Sequence, residues 1–290
     1  MSRRGSEVSG SAYGSTIAKR RLSRRLTELR LANGFTANQV CDKLDWGRGK
    51  VGRFESNTWR RPEMSDVRDL LRLYEKSEEQ RRELEDLAIK ARERAWWRDY
   101  PDVFDNEYAG YEADATRIRV YVPLLVPALL ATTAYIEAGM RGGNREPEWR
   151  QRALETRLRR QEVLERDDGT APQFVAVLTE AALRYHWGSR DDRRAQVKHL
   201  MEMSKRANIE LRIIRFADGP HPGILGPVTV FDFDGDEPSV VFAETDLAVP
   251  EISDRAQAET YIESFERTRV AAATPSGTTA YLEKIATTLE

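Results

Sequence analysis

Five basic residues lie close together between positions 48 and 61, in a chain of 290 residues with a net charge of only −2. They are Arg48, Lys50, Arg53, Arg60 and Arg61. Residues 1–62 contain 14 Lys and Arg against 5 Asp and Glu, whereas the other 228 residues contain 32 against 43. A basic segment of this kind is typical of proteins that bind the phosphates of nucleic acids. A basic tail beside a solvated charged face is the alternative, which charge alone leaves open.

The three histidines, His186, His199 and His221, are too scattered in the sequence to show metal-ligand spacing. The sequence also lacks the His-Glu-x-x-His, Gly-x-Ser-x-Gly and phosphate-loop motifs. The single cysteine, Cys41, excludes an intrachain disulfide and a cysteine-cluster metal site. We therefore expect no enzymatic activity, no metal and no cofactor. His221, between two loop glycines, is expected to be structural or to line a pocket, where its titration could sense pH or an anionic ligand.

The basic cluster lies in a segment whose apolar residues recur at helical spacing. Asn33-Gly34 can end a first helix, because both residues tolerate positive φ, and Thr36 is a suitable N-cap for a second. In a third helix, Val51 and Phe54 are expected to point inwards. The predicted helices cover Ile17–Ala32, Ala37–Leu44, Arg48–Ser56 and Glu63–Tyr74. The sequence thus predicts a compact all-α domain.

This segment contains a characteristic set of residues: Gly34-Phe35-Thr36, Val40-Cys41, Leu44, Val51, Arg53-Phe54-Glu55 and Arg61-Pro62. In these residues it resembles the XRE/Cro-type helix-turn-helix family. The resemblance implies that the third helix lies in the major groove of DNA. It places Arg48, Gly49, Gly52 and Arg53 at base-facing positions, and Thr36, Lys50, Arg60 and Arg61 against phosphates. Arginine can bind guanine O6 and N7 through two hydrogen bonds, whereas phosphate contacts position the domain without reading sequence.

Five positions depart from the pattern of that family. Gly49 and Gly52 are poor helix formers, each costing roughly 1 kcal/mol relative to alanine. They could let the backbone approach DNA closely, or leave the helix soft until it binds. Ala37 stands where the family often has a phosphate-contacting glutamine, and Asn57 where a turn glycine is common. Cys41 occupies a position that usually holds alanine, so we expect a small buried packing residue rather than a redox switch.

The rest of the chain mixes helical and strand-like segments. Ser77–Arg94 is expected to form one charged helix, with Ser77 and Gln80 as a capping box, leading to the adjacent Trp96 and Trp97. For these tryptophans packing is the favoured interpretation, and ligand stacking is the alternative. Further helices are predicted over Tyr108–Arg119, Val126–Met140, Glu148–Arg166, Asp191–Ala207, Ala256–Ala273 and Ser276–Leu289, with Tyr121-Val122-Pro123 extended and Thr274-Pro275 as the last cap. Strands are predicted over Gln173–Leu178, Glu210–Phe216, Pro227–Phe233 and Ser239–Glu244.

A second set of motifs extends over the rest of the chain. They include Trp96-Trp97-x-x-Tyr100, Tyr111-Glu112, Arg157-x-x-Arg160-Gln161, Glu180-Ala181-Ala182-Leu183-Arg184 and Gly219-x-His221-x-Gly223. With these motifs, the chain from about Ser15 onward resembles an actinobacterial family of XRE-type regulators. The resemblance implies an antitoxin-like C-terminal domain without a settled biochemical activity, commonly encoded beside a small acidic or toxin-like partner. Where that family has Gly-Leu-Leu-Gln, this chain has Ala128-Leu129-Leu130-Ala131. If that glutamine contacts a ligand or partner, the residue for the contact is missing here.

Together these patterns predict a mainly α fold with a C-terminal α/β part. We expect a disordered basic arm at 1–15, a helix-turn-helix DNA-binding domain at 16–76, a helical linker at 77–110, and a mixed α/β effector or interaction domain at 111–290. The expected protein is a cytoplasmic, nucleoid-associated homodimer on a pseudo-palindromic operator, without a secretory signal or membrane span. Two classes stay open for the C-terminal domain. It could bind a small partner protein encoded nearby, or it could be a small-molecule receptor with a pocket near Trp96, Trp97, Tyr121 and His221.

Overall fold

The computed structural model describes residues 14–59, 61–244, 249–252 and 254–289. The chain divides into two compact units, residues 1–99 and 100–290, and each is described by itself. Two predictions fall wholly or mostly outside the described residues: the phosphate contact of Arg60 and the disordered arm at 1–15.

Within residues 14–59 and 61–99, the first unit contains five α-helices. They are α1 (Ser15–Ala32), α2 (Ala37–Lys43), α3 (Lys50–Glu55), α4 (Met64–Leu73) and α5 (Glu78–Ala91). The all-α domain is confirmed, and the first four predicted helices match the observed bounds to within two residues. Caps explain this agreement, since the Thr36 hydroxyl accepts from the Gln39 amide at 3.2 Å, and the Gln39 side chain accepts from the Thr36 amide at 2.8 Å.

The third helix begins two residues later than the sequence predicts. Gly49 is its N-cap and has a φ of 82°, so Arg48 and Gly49 belong to the preceding turn. A left-handed residue cannot continue an α-helix, and glycine adopts this conformation without a Cβ clash. Asn57 lies at a φ of 58° in the turn after α3, as its substitution for a turn glycine suggested.

The apolar faces of all five helices meet in one core. Its buried residues include Leu22, Leu26, Val40, Cys41, Val51, Phe54, Val67, Leu70, Leu71, Leu84 and Leu87. Helix α5 therefore packs in the same core as the helices before it, although it begins the segment for which the sequence predicts a linker. Across this core, Arg30 donates from Nε and Nη2 to the two carboxylate oxygens of Glu55 at 2.5 and 2.9 Å, which ties α1 to the end of α3.

In the described part of residues 100–290, six strands form one mixed sheet with the order β3-β2-β1-β4-β5-β6. They are β1 (Arg117–Val122), β2 (Gln173–Thr179), β3 (Ile209–Ile214), β4 (Val228–Asp232), β5 (Val240–Ala243) and β6 (Glu251–Ile252). Strands β1, β2 and β3 are parallel, and the remaining pairs are antiparallel. Strands β2 to β5 confirm the four predicted strands.

Helices cover both faces of this sheet. They are α6 (Tyr108–Asp114), α7 (Thr133–Met140), α8 (Pro147–Gln161), α9 (Ala181–Arg184), α10 (Arg190–Met203), α11 (Arg255–Ala271) and α12 (Pro275–Thr288). On one face, Tyr121, Val177 and Val230 pack with Phe265 of α11 in a common core. None of the helices in the described part combines the length and apolar composition needed to cross a bilayer.

Two predicted helices are wrong in extent. The helix predicted over Tyr108–Arg119 ends at Asp114, and Arg117–Val122 forms the central strand β1 instead. The helix predicted over Val126–Met140 is a 3₁₀ turn at Ala128–Leu130 followed by α7, for which the Thr132 hydroxyl accepts from the Tyr135 amide. In the second segment most of the apolar run Val126–Ala131 is buried, which hides the period that separates helix from strand.

Candidate nucleic-acid interface and a cavity in the C-terminal unit

Helices α2 and α3 form a helix-turn-helix with a basic exposed edge. Arg48 in the turn and Arg53 on α3 are both exposed, whereas Val51 and Phe54 of α3 are buried in the core. A Cβ atom at Gly49 would lie 4.0 Å from Nη1 of Arg53, so this guanidinium lies beside the turn that carries Arg48. Both arginines that the sequence assigned to base contacts are thus exposed, one in the turn and one on the helix that follows it.

Arg48 forms one ion pair within the helix-turn-helix. Its Nη2 atom lies 3.0 Å from Oδ1 of Asp42, and the two side chains are 66% and 58% exposed. An ion pair this exposed contributes about 0–1 kcal/mol. A guanine or a phosphate can therefore replace Asp42 at little cost in free energy.

The residues that the sequence assigns to phosphate contacts differ in their exposure and in the contacts that they already make. Lys50 donates to Oδ1 of Asp66 at 2.7 Å and lies 4.1 Å above the Trp46 ring, so its charge is already engaged within the first unit. Arg61 is exposed, and Thr36 is exposed with its hydroxyl hydrogen still able to donate. The phosphate contacts of all these residues stay predictions.

Glycine in α3 has two explanations: it lets the backbone approach DNA closely, or it leaves the helix soft until it binds. A substitution at Gly52 distinguishes them. No atom lies within 4 Å of a Cβ built on it, so the fold does not require glycine there. We expect Gly52→Ala to raise the free energy of unfolding by about 1 kcal/mol, through helix propensity. If the bare backbone approaches DNA, the same variant will bind the operator more weakly despite its higher stability. Chemical denaturation and operator titrations measure the two effects separately.

Gly49→Ala is the matched control for Gly52→Ala. A side chain at Gly49 must adopt a φ of 82°, which is costly for residues other than glycine. This variant should therefore be less stable than the wild type. If both variants shift stability in the same direction, helix propensity is not what separates the two glycines.

The four residues proposed for a ligand pocket form two pairs in different units. Trp96 and Trp97 meet edge to face with ring centroids 6.1 Å apart, and Trp97 is buried. Tyr121 and His221 also meet edge to face, at 5.8 Å. A Cβ at Gly223 would come within 2.8 Å of the Tyr121 ring, so the His221 loop is packed tightly on that ring. Tight packing explains Tyr121 and His221 without a ligand, and their ligand role stays a prediction.

Burial lowers the pKa of His221, and it also lowers the pKa of His199 on α10 against a smaller opposite effect of Glu165. Both imidazoles are therefore harder to protonate in the folded chain than in the unfolded chain, where the pKa is about 6.5. The free energy of unfolding should therefore fall as the pH drops below about 6.5, because protonation of these groups then favours the unfolded chain. Urea denaturation at pH 7.5 and 5.5 measures this.

The matched variants for this pH effect are His199→Gln and His221→Gln. Each should flatten the dependence on pH between 5.5 and 7.5, because one titrating group is removed. Equal stability of the wild-type protein at both pH values would contradict the assignment.

A cavity of about 500 Å³ lies against one face of the sheet in the second unit. Its lining includes Ile118, Val120 and Val122 of β1 together with Phe174 of β2. Because successive side chains of a strand point to opposite faces, Tyr121 lies on the other side of the sheet, and it does not line this cavity. The volume lies in the range of small-molecule sites.

Polar groups are concentrated on one wall of the cavity, where α6 meets α8. Arg160 donates from Nε and Nη2 to the two carboxylate oxygens of Glu112, at 2.6 and 2.8 Å. Burial opposes the charge of Arg160, but the charge and hydrogen bonds of Glu112 outweigh it and raise the pKa of Arg160. Nearby, the Tyr108 hydroxyl donates to Thr229 at 3.2 Å.

Two further ionisable groups line the cavity without a charged partner among the described residues. Burial lowers the pKa of Arg157, and the charge of Arg160, one helical turn along α8, lowers it further. Partial desolvation by neighbouring atoms raises the pKa of Glu244 although the residue remains exposed to solvent, and the charge of Arg160 acts in the opposite direction. Sequence reasoning missed this cavity, although Glu112, Arg157 and Arg160 all stand in the motifs that carry the actinobacterial resemblance.

Other residues of those motifs hold the framework of the second unit. Gln161 donates from Nε2 to the carbonyl oxygens of Ala128 and Ala131, both at 2.7 Å. Glu180 accepts from the Phe216 amide at 3.0 Å and from Arg184 at 3.0 Å.

In the part of the chain that the structure describes, no three His, Cys, Asp or Glu side chains cluster as metal ligands would.

Comparisons with known proteins agree with this division of the chain. A family described as a helix-turn-helix domain matches residues 21–84, which span α2, the turn and α3. A family described as a domain of unknown function (DUF5753) matches residues 106–284, more than half of the chain. None of the curated proteins and none of the solved structures compared with the chain matches it. The helix-turn-helix domain indicates a DNA-binding regulator, and the chain belongs to the DUF5753 family.

Proposed function

We propose that this protein is a sequence-specific transcriptional regulator that reads base edges with Arg48 and Arg53. The observation that carries the proposal is the presence of two exposed guanidinium groups at one edge of a helix-turn-helix. The net positive charge of residues 1–62 supports it, because DNA affinity depends largely on phosphate neutralisation. In this arrangement the phosphates are contacted by Thr36, Lys50, Arg60 and Arg61, and the backbone at Gly49 and Gly52 faces the bases.

We further propose that the protein is of the XRE type and binds as a homodimer to a pseudo-palindromic operator on the nucleoid. The support is general: helix-turn-helix dimers place their recognition helices in successive major grooves, about 34 Å apart on one face of DNA. The DNA sequence then shows an inverted repeat with half-sites about 10 base pairs apart.

Selection from a random duplex library with the full chain tests this function. We expect an enriched inverted repeat, bound with an affinity that falls steeply with salt, because arginines release condensed counterions. Sedimentation of the selected complex gives the number of chains per duplex. Enrichment of no sequence would contradict sequence-specific binding, and one chain per duplex would contradict the dimer.

A second function is needed for the C-terminal domain, and two classes have separate support. The actinobacterial resemblance supports an antitoxin-like platform for a small partner protein encoded nearby, and Phe216 and Val270 are apolar side chains 65% and 76% exposed. The cavity supports the other class, a small-molecule receptor.

Purification from the native host separates the two classes. A stoichiometric small protein from a neighbouring gene favours the platform, whereas a thermal shift with metabolite pools and no such protein favours the receptor.

A further inference from the structure

The cavity has the shape and surface of a site for an organic molecule. Buried apolar side chains from the sheet form its inner wall, including Ile118, Val120 and Phe174. Exposed residues such as Leu125 and Gly139 mark where it opens to solvent. A site of this kind takes an apolar ligand, and its few polar groups decide which ligand it takes.

Arg157 is the polar group whose charge is least satisfied. Its Nη1 atom donates to the Ala153 carbonyl oxygen at 3.2 Å and lies 3.9 Å from the Met140 sulfur. Among the described residues, no carboxylate lies within ion-pair distance of Arg157, and its Nε and Nη2 atoms have no hydrogen-bond partner. These two atoms form the edge of a guanidinium that binds a carboxylate through two parallel hydrogen bonds.

The acidic residues of the lining do not compensate Arg157. Glu112 uses both of its oxygens on Arg160. Asp105 is exposed at the rim, and the electrostatic effect on Glu244 comes from Arg160. A partly buried cation without a counter-ion is unfavourable, so the α8 wall of the cavity attracts an anion.

We infer that the cavity binds an apolar organic acid, whose anionic group pairs with the Nε–Nη2 edge of Arg157 and whose apolar body lies against Ile118, Val120 and Phe174. This inference deepens the receptor class of the proposed function. It does not depend on DNA binding, since the ligand site lies wholly within the second unit.

Three probes with the same ring system test the inference: 2-naphthoate, 2-naphthylmethanol and 2-naphthylmethylammonium. Each is titrated into the full chain without DNA and followed by calorimetry and saturation-transfer NMR. We expect 2-naphthoate to bind most tightly and the ammonium compound least tightly. Arg157→Met should weaken 2-naphthoate binding roughly tenfold to a hundredfold, because a charge-assisted pair is lost, and it should leave 2-naphthylmethanol unchanged.

Two control variants separate the site from the surface and from the fold. Arg159→Met removes an exposed arginine of the same helix that does not line the cavity, and it should leave the binding of all three probes unchanged. Gly139→Phe adds a ring at the mouth of the cavity, at a lining position where a Cβ meets no atom within 4 Å. This variant should fold with the wild-type melting temperature and bind all three probes more weakly, because the ring narrows the entrance.

The inference is overturned if no probe binds the wild-type chain, if Arg157→Met binds 2-naphthoate as tightly as the wild type, or if a folded Gly139→Phe variant binds all three probes as tightly as the wild type. DNA binding is measured separately, so these failures leave the regulator function standing. Conversely, loss of the operator preference does not affect the cavity.

Discussion

Replacing Arg48 and Arg53 together by alanine is expected to abolish the preference for the selected operator over unrelated DNA. Each arginine that pairs bidentately with guanine contributes about 1–3 kcal/mol of discrimination, so the double variant should lose about 2–6 kcal/mol. The free energy of unfolding should change by less than about 0.5 kcal/mol. Both side chains are exposed, and among the residues that the structure describes the double variant removes only the surface ion pair of Arg48 with Asp42.

The measurement is fluorescence anisotropy with the operator and with a scrambled duplex of the same length. The matched control is Arg72→Ala with Arg82→Ala, because these arginines are also exposed but lie on α4 and α5. The control removes the same charge from the same unit, so it can lower the affinity for both duplexes alike. It should leave the ratio between the two affinities unchanged, since general electrostatic attraction carries no sequence information.

The two glycines in and beside α3 leave few side chains that could replace the two arginines in reading the operator. Because Gly49 and Gly52 offer no side chains to the bases, direct readout from α3 and the turn before it depends mainly on Arg48 and Arg53. Full operator preference in the double variant would show that another element reads the sequence, and the assignment of α3 as the recognition helix would then be wrong.

The first unit could be predicted well because local chemistry fixes its elements. The capping box at Thr36 and the N-cap at Ser77 mark where helices begin, and each depends on residues three positions apart. The start of α3 is the exception, because the sequence predicts it two residues too early. Arg48-Gly49 continues the helical spacing, but the left-handed conformation of Gly49 is a property of the turn and not of the periodicity.

Strand β1 shows what the sequence could not reveal. Its residues are buried on both faces because β2 and β4 flank it and helices cover it, so it lacks the alternation of a half-exposed strand. It also carries Arg119, which is buried and paired with Asp232 at 2.6 Å and Glu266 at 3.1 Å. These partners lie more than a hundred positions along the chain. From the sequence alone, an arginine that follows a helix-like segment indicates the exposed end of that helix. Its burial becomes apparent only when its distant partners are known.

The cavity was missed because arginines of α8 form its polar wall. The spacing of apolar residues in that helix predicts instead that apolar side chains face inwards. Apolar spacing places Leu158 on the inner face of that helix, yet Leu158 is exposed, while Arg157 and Arg160 line the cavity. Arg160 is held in this orientation by Glu112 of α6, and it also interacts electrostatically with Glu244 after β5. Only their meeting in three dimensions shows that two arginines face inwards.

The ion pair between Glu112 and Arg160 is expected to have the largest effect on stability. Its side chains are only 3% and 15% exposed, so both charges are desolvated and each depends on the other. Glu112→Gln keeps the shape of the side chain but leaves the Arg160 charge without its partner. We expect this variant to lose about 3–5 kcal/mol of unfolding free energy, which is the usual result of breaking a buried pair.

A double-mutant cycle shows whether the loss comes from the unpaired charge. Arg160→Met should also be destabilising, because it leaves the Glu112 carboxylate buried alone. The double variant Glu112→Gln with Arg160→Met has no buried charge left at this position. It should therefore be more stable than the sum of the two single losses predicts, with a coupling free energy of about 1–3 kcal/mol.

The surface pair of Arg255 and Glu259 provides the control for this cycle. Its side chains are 89% and 60% exposed and lie four residues apart on α11. Glu259→Gln should change the free energy of unfolding by at most about 0.5 kcal/mol, since water screens both charges. If Glu112→Gln is no more destabilising than Glu259→Gln, the α8 wall is not a desolvated environment. In that case Arg157, one turn from Arg160, needs no anion to balance its charge.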